Sequence, residues 1–283
     1  MSLYPQPNRW QCGPFALKHA LVTLGISASE RVITEIAGAG PSLGADEAQL
    51  RRAARKFHCD MPPVRRHDAA EAREQLLFHL KHGHPCLICV RQWAHWITIV
   101  KAEAGKFIVL DSEDDAVLSV FTWRKLQRVW PYRERDKHDK RHVVTLYDLY
   151  PVVPGVRVRT RAQFSLARAR YLRRPEHRRL AAHWDDYLAD LLSICRPRTA
   201  LSSHVVSMGE FFRRYDTMIL DQVDYWHGEV NRQSASRVLR NMHFVADTYG
   251  LVIHEEDEKR AIAGISAILA LWAASKVHVA PFY

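Results

Sequence analysis

The chain has 283 residues, 47% of them hydrophobic and 25% charged, too apolar for a disordered chain and long enough for one large domain or two ordinary ones. The formal charge is +10, but Val156–Leu180 alone holds nine arginines against one acid, Glu176, so the bias is local and a general affinity for nucleic acid is disfavoured. The start, MSLYPQPNRW, lacks a signal-peptide pattern, the longest uncharged run (Ala261–Ser275) is short of the ~20 residues of a membrane span, and five irregularly spaced cysteines suggest no disulfide framework. A soluble, cytoplasmic protein is expected.

Pro14 suits the first turn of a helix in which Leu17, Ala20, Leu21 and Leu24 recur at helical spacing and Gly25 marks the stop. Ser27 and Glu30 have capping-box spacing and open a second helix through Ile36. GADEAQLRRAARKFH and DAAEAREQLLFHLKHG read as two more helices. Short apolar runs follow at close spacing (PCLICV, HWITIV, KFIVLD, AVLSVF), as in an antiparallel sheet, with HVVTLYDLYPVV as a last strand and VVPG at 152–155 as a boundary. Beyond Thr160 strand signals nearly stop. Leu180, Trp184, Leu188, Leu191 and Leu192 mark one amphipathic helix. Val205, Phe212, Tyr215, Ile219, Val223 and Trp226 mark another, with a break allowed at Gly209. Val238, Leu239, Met242, Val245 and Tyr249 mark a third, stopped by Gly250. A fourth opens on Glu255, Glu256, Asp257 and Glu258, acids that suit a helix start, and runs through Ile262, Ile265, Leu269 and Trp272. The expected fold class is α+β, with helices packed on an antiparallel sheet over 1–155 and an all-α helical bundle over 156–283.

Cys12 stands at the start of the first helix, where partial positive charge and free backbone N–H groups favour a thiolate. A nucleophilic cysteine needs a histidine base, and the histidine needs an orienting group. HWITIVKAEAGKFIVLD offers both in one hairpin. A tip near Glu103-Ala104-Gly105 sets His95 opposite Asp111, and in that register His95, Ile97 and Ile99 share a face with Phe107, Val109 and Asp111. Taken alone, Cys12 reads equally well as a buried packing residue.

Together, QPNRWQCGP, AHWITIV far downstream and then VLD resemble the bacteriocin-processing, double-glycine-leader peptidase family of the papain-like superfamily, over about residues 4 to 150. The resemblance implies a papain-like fold for that stretch and a peptide or protein substrate, with no cofactor. It makes Cys12 the nucleophile, His95 the general base, Asp111 the orienting acid and Gln6, six residues before the cysteine, a side-chain donor to the oxyanion hole. Gln11 is the rival donor, although a residue just before the nucleophile usually points elsewhere. Trp93 and Trp96 flank His95 as candidate walls of the substrate cleft. No phosphate-binding glycine loop is present, so a stand-alone cysteine peptidase is the leading expectation. The same thioester would serve an acyltransferase, transpeptidase or deamidase, and a non-catalytic binding module that keeps the fold is the reading from another class.

No metal is expected. His82, His84, Cys86 and Cys89 look like a zinc set, but a three-residue offset in a strand puts the two cysteines on opposite faces. His183 with Asp186 and Asp224 with His227 sit three apart on helices without the Glu-x-x-His pairs of di-iron bundles. The arginine stretch, with Arg173, Arg174, Arg178 and Arg179 at its end, reads either as a solvated face or as a docking surface near the domain junction for an anionic partner, such as an acidic protein segment or a phosphopantetheine-bearing carrier.

Overall fold

The computed structural model describes residues 9–40, 44–114, 117–135, 143–156, 162–197, 204–227 and 230–276. The chain divides into two compact units, one of residues 6–158 with 164–182, the other of 1–5, 159–163 and 183–283.

The first unit opens with α1 (Cys12–Thr23), α2 (Glu30–Ala37) and α3 (Glu47–Lys56), followed by β1 (Cys59–Asp60), β2 (Val64–Arg66) and α4 (Ala69–Lys81). Then come β3 (Cys86–Val90), β4 (His95–Glu103), β5 (Lys106–Leu110), β6 (Leu118–Thr122), α5 (Trp123–Val129), β7 (Tyr132–Arg135), β8 (Val143–Pro151) and β9 (Val153–Pro154). The main sheet is antiparallel in the order β2-β8-β3-β4-β5-β6, with β7 on β8, and β1 pairs separately with β9. Both of its faces are covered. One core joins α1, α2 and α3 to Leu87, Cys89, Trp96 and Tyr150; the other joins Ala72 and Leu76 of α4 and Leu126 of α5 to Cys86, Ile88, Ile97 and Phe107. A strand covered twice needs apolar residues at every position, which is why PCLICV shows no alternation. Cys86 and Cys89 fall in opposite cores, as the strand periodicity requires.

Two buried hydrogen bonds fix the first helices on β4. The Thr98 hydroxyl donates to the Ala16 carbonyl at 2.7 Å, and the Trp96 indole donates to the Ala45 carbonyl at 3.0 Å. Gly13 allows the approach: a Cβ there would lie 3.3 Å from each of Ala45 Cβ, Leu50 Cδ1 and Trp96 Cδ1. The second helix is capped by Ser29, whose hydroxyl accepts from Val32 N–H, and not by Ser27; the reciprocal capping box forms instead at Asp46 and Gln49. The unit also extends past the boundary expected at 155, taking in α6 (Leu166–Leu172) and α7 (Arg178–Ala182). Lys101 Nζ donates to the Phe164 carbonyl, Leu166 N–H to Glu103, and Arg173 to Ser119 Oγ, at 3.1, 3.2 and 3.0 Å.

The second unit contains α8 (Trp184–Ile194), α9 (Met208–His227), α10 (Arg232–Tyr249) and α11 (Glu258–Lys276). It is not all-α. Between the helices lie β10 (Arg196–Pro197), β11 (Val205–Ser207) and β12 (Leu251–His254), an antiparallel sheet with β12 at its centre. Val205 therefore belongs to a strand, α9 starts at Met208 and runs unbroken through Gly209, and Leu180 sits in α7, apart from α8. The strands escaped the sequence because each is two to four residues long and abuts a stronger helical period. Gly250, at φ 69°, caps α10 and turns the chain straight into β12. No helix among the described residues is long and apolar enough to cross a membrane.

Gly13→Val should destabilise the protein by about 1–3 kcal/mol through overpacking at three contacts. Denaturant titration would read this as a lower midpoint at unchanged slope. A neutral result would mean that α1 does not lie this close to β4 and Leu50.

Candidate active site

Cys12 is the first residue of α1 and is buried. Gln11, at the N-cap, makes no side-chain capping bond, and no acid stands in the first turn. The positive end of the helix thus meets no competing anion of its own at the thiol. His95 is the first residue of β4 and only 2% exposed. Its Nε2–H donates to Asp111 Oδ1 at 2.7 Å, and the Cys12 thiol is near enough to the ring to help raise its pKa. Asp111, just beyond β5, also accepts the Glu113 N–H at 3.0 Å.

The hairpin register differs from the one expected. The turn is the two-residue Ala104–Gly105, with φ of 46° and 72° as the favoured hairpin turn demands. An irregularity between Ile99 and Lys101 then shifts the pairing back by one, so Thr98 faces Leu110 and Ile99 faces Val109. His95 and Asp111 are therefore diagonal neighbours, not direct partners. The slip is by two residues, which leaves both side chains on one face. The pair survives the error.

Burial is the largest influence on the His95 imidazole and pulls its pKa down, but the Asp111 hydrogen bond and then Cys12 outweigh it and carry it up to about 9. Burial likewise pushes the Asp111 carboxyl up, and the hydrogen bond and charge of His95, the Glu113 N–H and Arg91 more than reverse this, holding it below the usual carboxylate range. The remaining thiols are poor nucleophiles. Burial raises Cys59 to about 11, Cys89 and Cys195 to about 12, and Cys86 as well.

Glu113 has no counterpart in the sequence reading. Its Oε1 lies 3.5 Å from His95 Nδ1, the ring nitrogen that Asp111 leaves open, and its Oε2 accepts from Arg91 at 2.8 Å. Arg91 belongs to the β3–β4 turn, where Arg91, Gln92 and Trp93 all hold left-handed backbone, φ 56°, 58° and 63°. Each costs on the order of 1 kcal/mol. The turn is held by neighbours: Arg91 N–H donates to the Val129 carbonyl, and the Gln92 amide bonds Arg133 N–H and C=O, both at 2.9 Å. The only trace of Glu113 in the chain is the acid-rich LDSED, and nothing in it marks which acid turns back toward the histidine.

Trp93 is 41% exposed and stacks on Tyr132, with ring centroids 3.7 Å apart, while Trp96 is a core residue; both line a pocket beside α3. Gln6 lies outside the described residues, as do Arg157, Arg159 and Arg161 and the side chain of His227. Arg173 is tied to Ser119 (above), Arg174 lies over the Tyr171 ring at 5.9 Å, and Arg178 and Arg179 are exposed. His183 pairs with Asp186 on the surface at 2.9 Å. Among the described residues no three His, Cys, Asp or Glu side chains converge as a metal site requires.

No family model matches the chain, and no curated protein matches it. Among solved structures it is similar to the peptidase domain of Streptococcus ComA, a bifunctional ABC transporter involved in quorum sensing, at 15% identity and TM-score 0.39 over 54% of this chain and 98% of that one. It is similar to a double-glycine-motif protease from an AMS/PCAT transporter in complex with the leader peptide, at 13% and 0.35, covering 53% and 91%. The peptidase domain of Streptococcus mutans ComA follows at 14% and 0.34, covering 52% and 98%. At these values the likeness identifies neither substrate nor chemistry.

Because its pKa is raised on folding, His95 contributes stability that is complete below its unfolded value of about 6.5 and is lost as pH rises through about 9. Asp111→Asn removes the main group that raises it. Titration of the His95 ring signal by NMR should give a midpoint near 9 in the wild type and a markedly lower one in the variant. Equal midpoints would break the pairing.

Proposed function

We propose that the protein is a cysteine peptidase that cleaves a peptide or amide bond through Cys12, His95 and Asp111. The observation that carries this reading is the arrangement itself: a thiol at a helix start, near a buried imidazole on which it acts electrostatically, and a carboxylate bonded to that imidazole at 2.7 Å. In the reaction, His95 takes the Cys12 proton before the attack, giving a thiolate–imidazolium pair, and the sulfur then attacks the carbonyl carbon. The tetrahedral intermediate collapses when the imidazolium protonates the leaving amine, and a thioester to Cys12 remains. Water, deprotonated by His95, then releases the acid and regenerates the thiol. Asp111 holds the ring in the required tautomer and stabilises the imidazolium between the two proton transfers. Gln6, together with the Cys12 N–H, is the proposed donor pair for the oxyanion.

Cys12→Ala and His95→Ala should each abolish turnover of a fluorogenic peptide amide while circular dichroism and unfolding midpoint stay near wild type. Retained turnover in Cys12→Ala would end this reading. Gln6→Ala should lower turnover by about 10²–10³ through loss of one oxyanion donor, and Gln11→Ala far less; the reverse order would move the oxyanion hole to Gln11. Product analysis with added amines separates hydrolysis, which yields the free acid, from acyl transfer, which yields the new amide.

A further inference from the structure

A pocket of about 210 Å³ opens beside the nucleophile, between the start of α3, the β3–β4 turn and β8. It is smaller than the ~300–1,000 Å³ of small-molecule sites and suits a single side chain. It borders the helix start that carries the thiol: Ala45 and Trp96 of its lining both close on Gly13, the residue after Cys12, and Cys89, also in the lining, feels the charge of Cys12.

Its chemistry is specific. Trp93, Trp96 and Tyr150 supply aromatic surface. Tyr150 is only 5% exposed, and its hydroxyl makes no hydrogen bond among the described residues while keeping some access to solvent. Four ionisable side chains of fixed sign line the space, three acids and Arg65. The Arg65 guanidinium is spent on Asp148, in two bonds of 2.6 and 2.8 Å, and that pair cancels. Asp46 uses one oxygen on the Gln49 N–H as helix cap. Glu47 is exposed and makes no ion pair or hydrogen bond among the described residues, and its charge acts on Tyr150, Cys89 and Arg65 around the pocket. In a chain of net charge +10, this small space beside the nucleophile is left with two uncompensated negative charges and aromatic faces.

We propose that this pocket is the specificity subsite of the enzyme and takes a lysine or arginine side chain of the peptide substrate close to the scissile bond. The cation pairs with Glu47, its aliphatic stem lies along the tryptophans with a cation–π contribution, and a terminal N–H donates to the Tyr150 hydroxyl. The assignment rests on Cys12 being the nucleophile of a peptidase.

The test is a set of fluorogenic peptide amides in which lysine, norleucine or glutamate is placed in turn at each position next to the cleaved bond. At one position kcat/KM should favour lysine over norleucine by about tenfold and disfavour glutamate. Glu47→Gln should collapse the lysine-to-norleucine ratio toward one, Glu47→Lys should turn the preference to glutamate, and Tyr150→Phe should shrink the ratio by a few fold. A second readout needs no cleavage: N-acetyl-lysine methylamide should slow iodoacetamide labelling of Cys12 more than the norleucine analogue does, and Glu47→Gln should erase the difference. Absence of a lysine preference in the wild type, or a preference that Glu47→Gln leaves intact, overturns the subsite. Selective protection by lysine without cleavage of any peptide keeps the subsite and rejects the peptidase reading.

Discussion

The site depends on how closely the first turn of α1 lies against β4. Cys12 and His95 are 83 residues apart in sequence, and only the packing of that helix on that strand brings them together. Gly13 is the enabling residue, because any Cβ there would press on Ala45, Leu50 and Trp96 together. The Thr98 hydroxyl then fixes the helix along the strand through the Ala16 carbonyl. Both bonds that hold α1 and its neighbouring loop on β4 are buried, where a lost partner leaves a carbonyl unsatisfied at a cost of about 1–3 kcal/mol. A thiol one residue from such a clamp has little freedom to drift, which is what a nucleophile needs.

The electrostatics follow from burial and pairing. A neutral environment alone would keep His95 uncharged, but it is surrounded by groups that favour the imidazolium: Asp111 on Nε2, Glu113 facing Nδ1 and the Cys12 sulfur. Arg91 tempers this by holding the far oxygen of Glu113. The strained turn that carries Arg91 also carries Trp93, so one short segment shapes both the acid facing the histidine and one wall of the neighbouring pocket. Strain in such a turn persists only where its surroundings over-determine it, here through Val129 and Arg133.

The sequence disclosed the parts of the fold that have a long period and little else. Helices α1, α3, α4 and α10 carry clear repeats or caps, and β3, β4, β5 and β6 are apolar runs between turn residues. The hairpin tip was misplaced by about one residue because Glu103, Ala104 and Gly105 all suit a turn, and the irregularity near Ile99 leaves no mark in the residue types. His95 and Asp111 were nonetheless found together, since an error of two residues preserves the face. Lys18, almost fully buried and paired with Glu30 at 3.0 Å, was invisible for the opposite reason: a lysine on a helix reads as solvent-facing. The positions of Glu113, Glu47 and Tyr150 near the thiol are not legible in the sequence because loops and a distant strand bring them there, and no spacing rule connects Tyr150 to Cys12. The strands of the second unit were lost to their shortness.

The central claim is that Cys12 is activated by its place at the helix start and by His95. Site-mapped alkylation of the native protein with iodoacetamide at pH 7, read by mass spectrometry of the digested chain, tests it most directly. Cys12 should take label well ahead of Cys59, Cys86, Cys89 and Cys195, and His95→Ala should remove that lead. If Cys12 labels no faster than the buried four, or keeps its lead without the histidine, the account of this site is wrong.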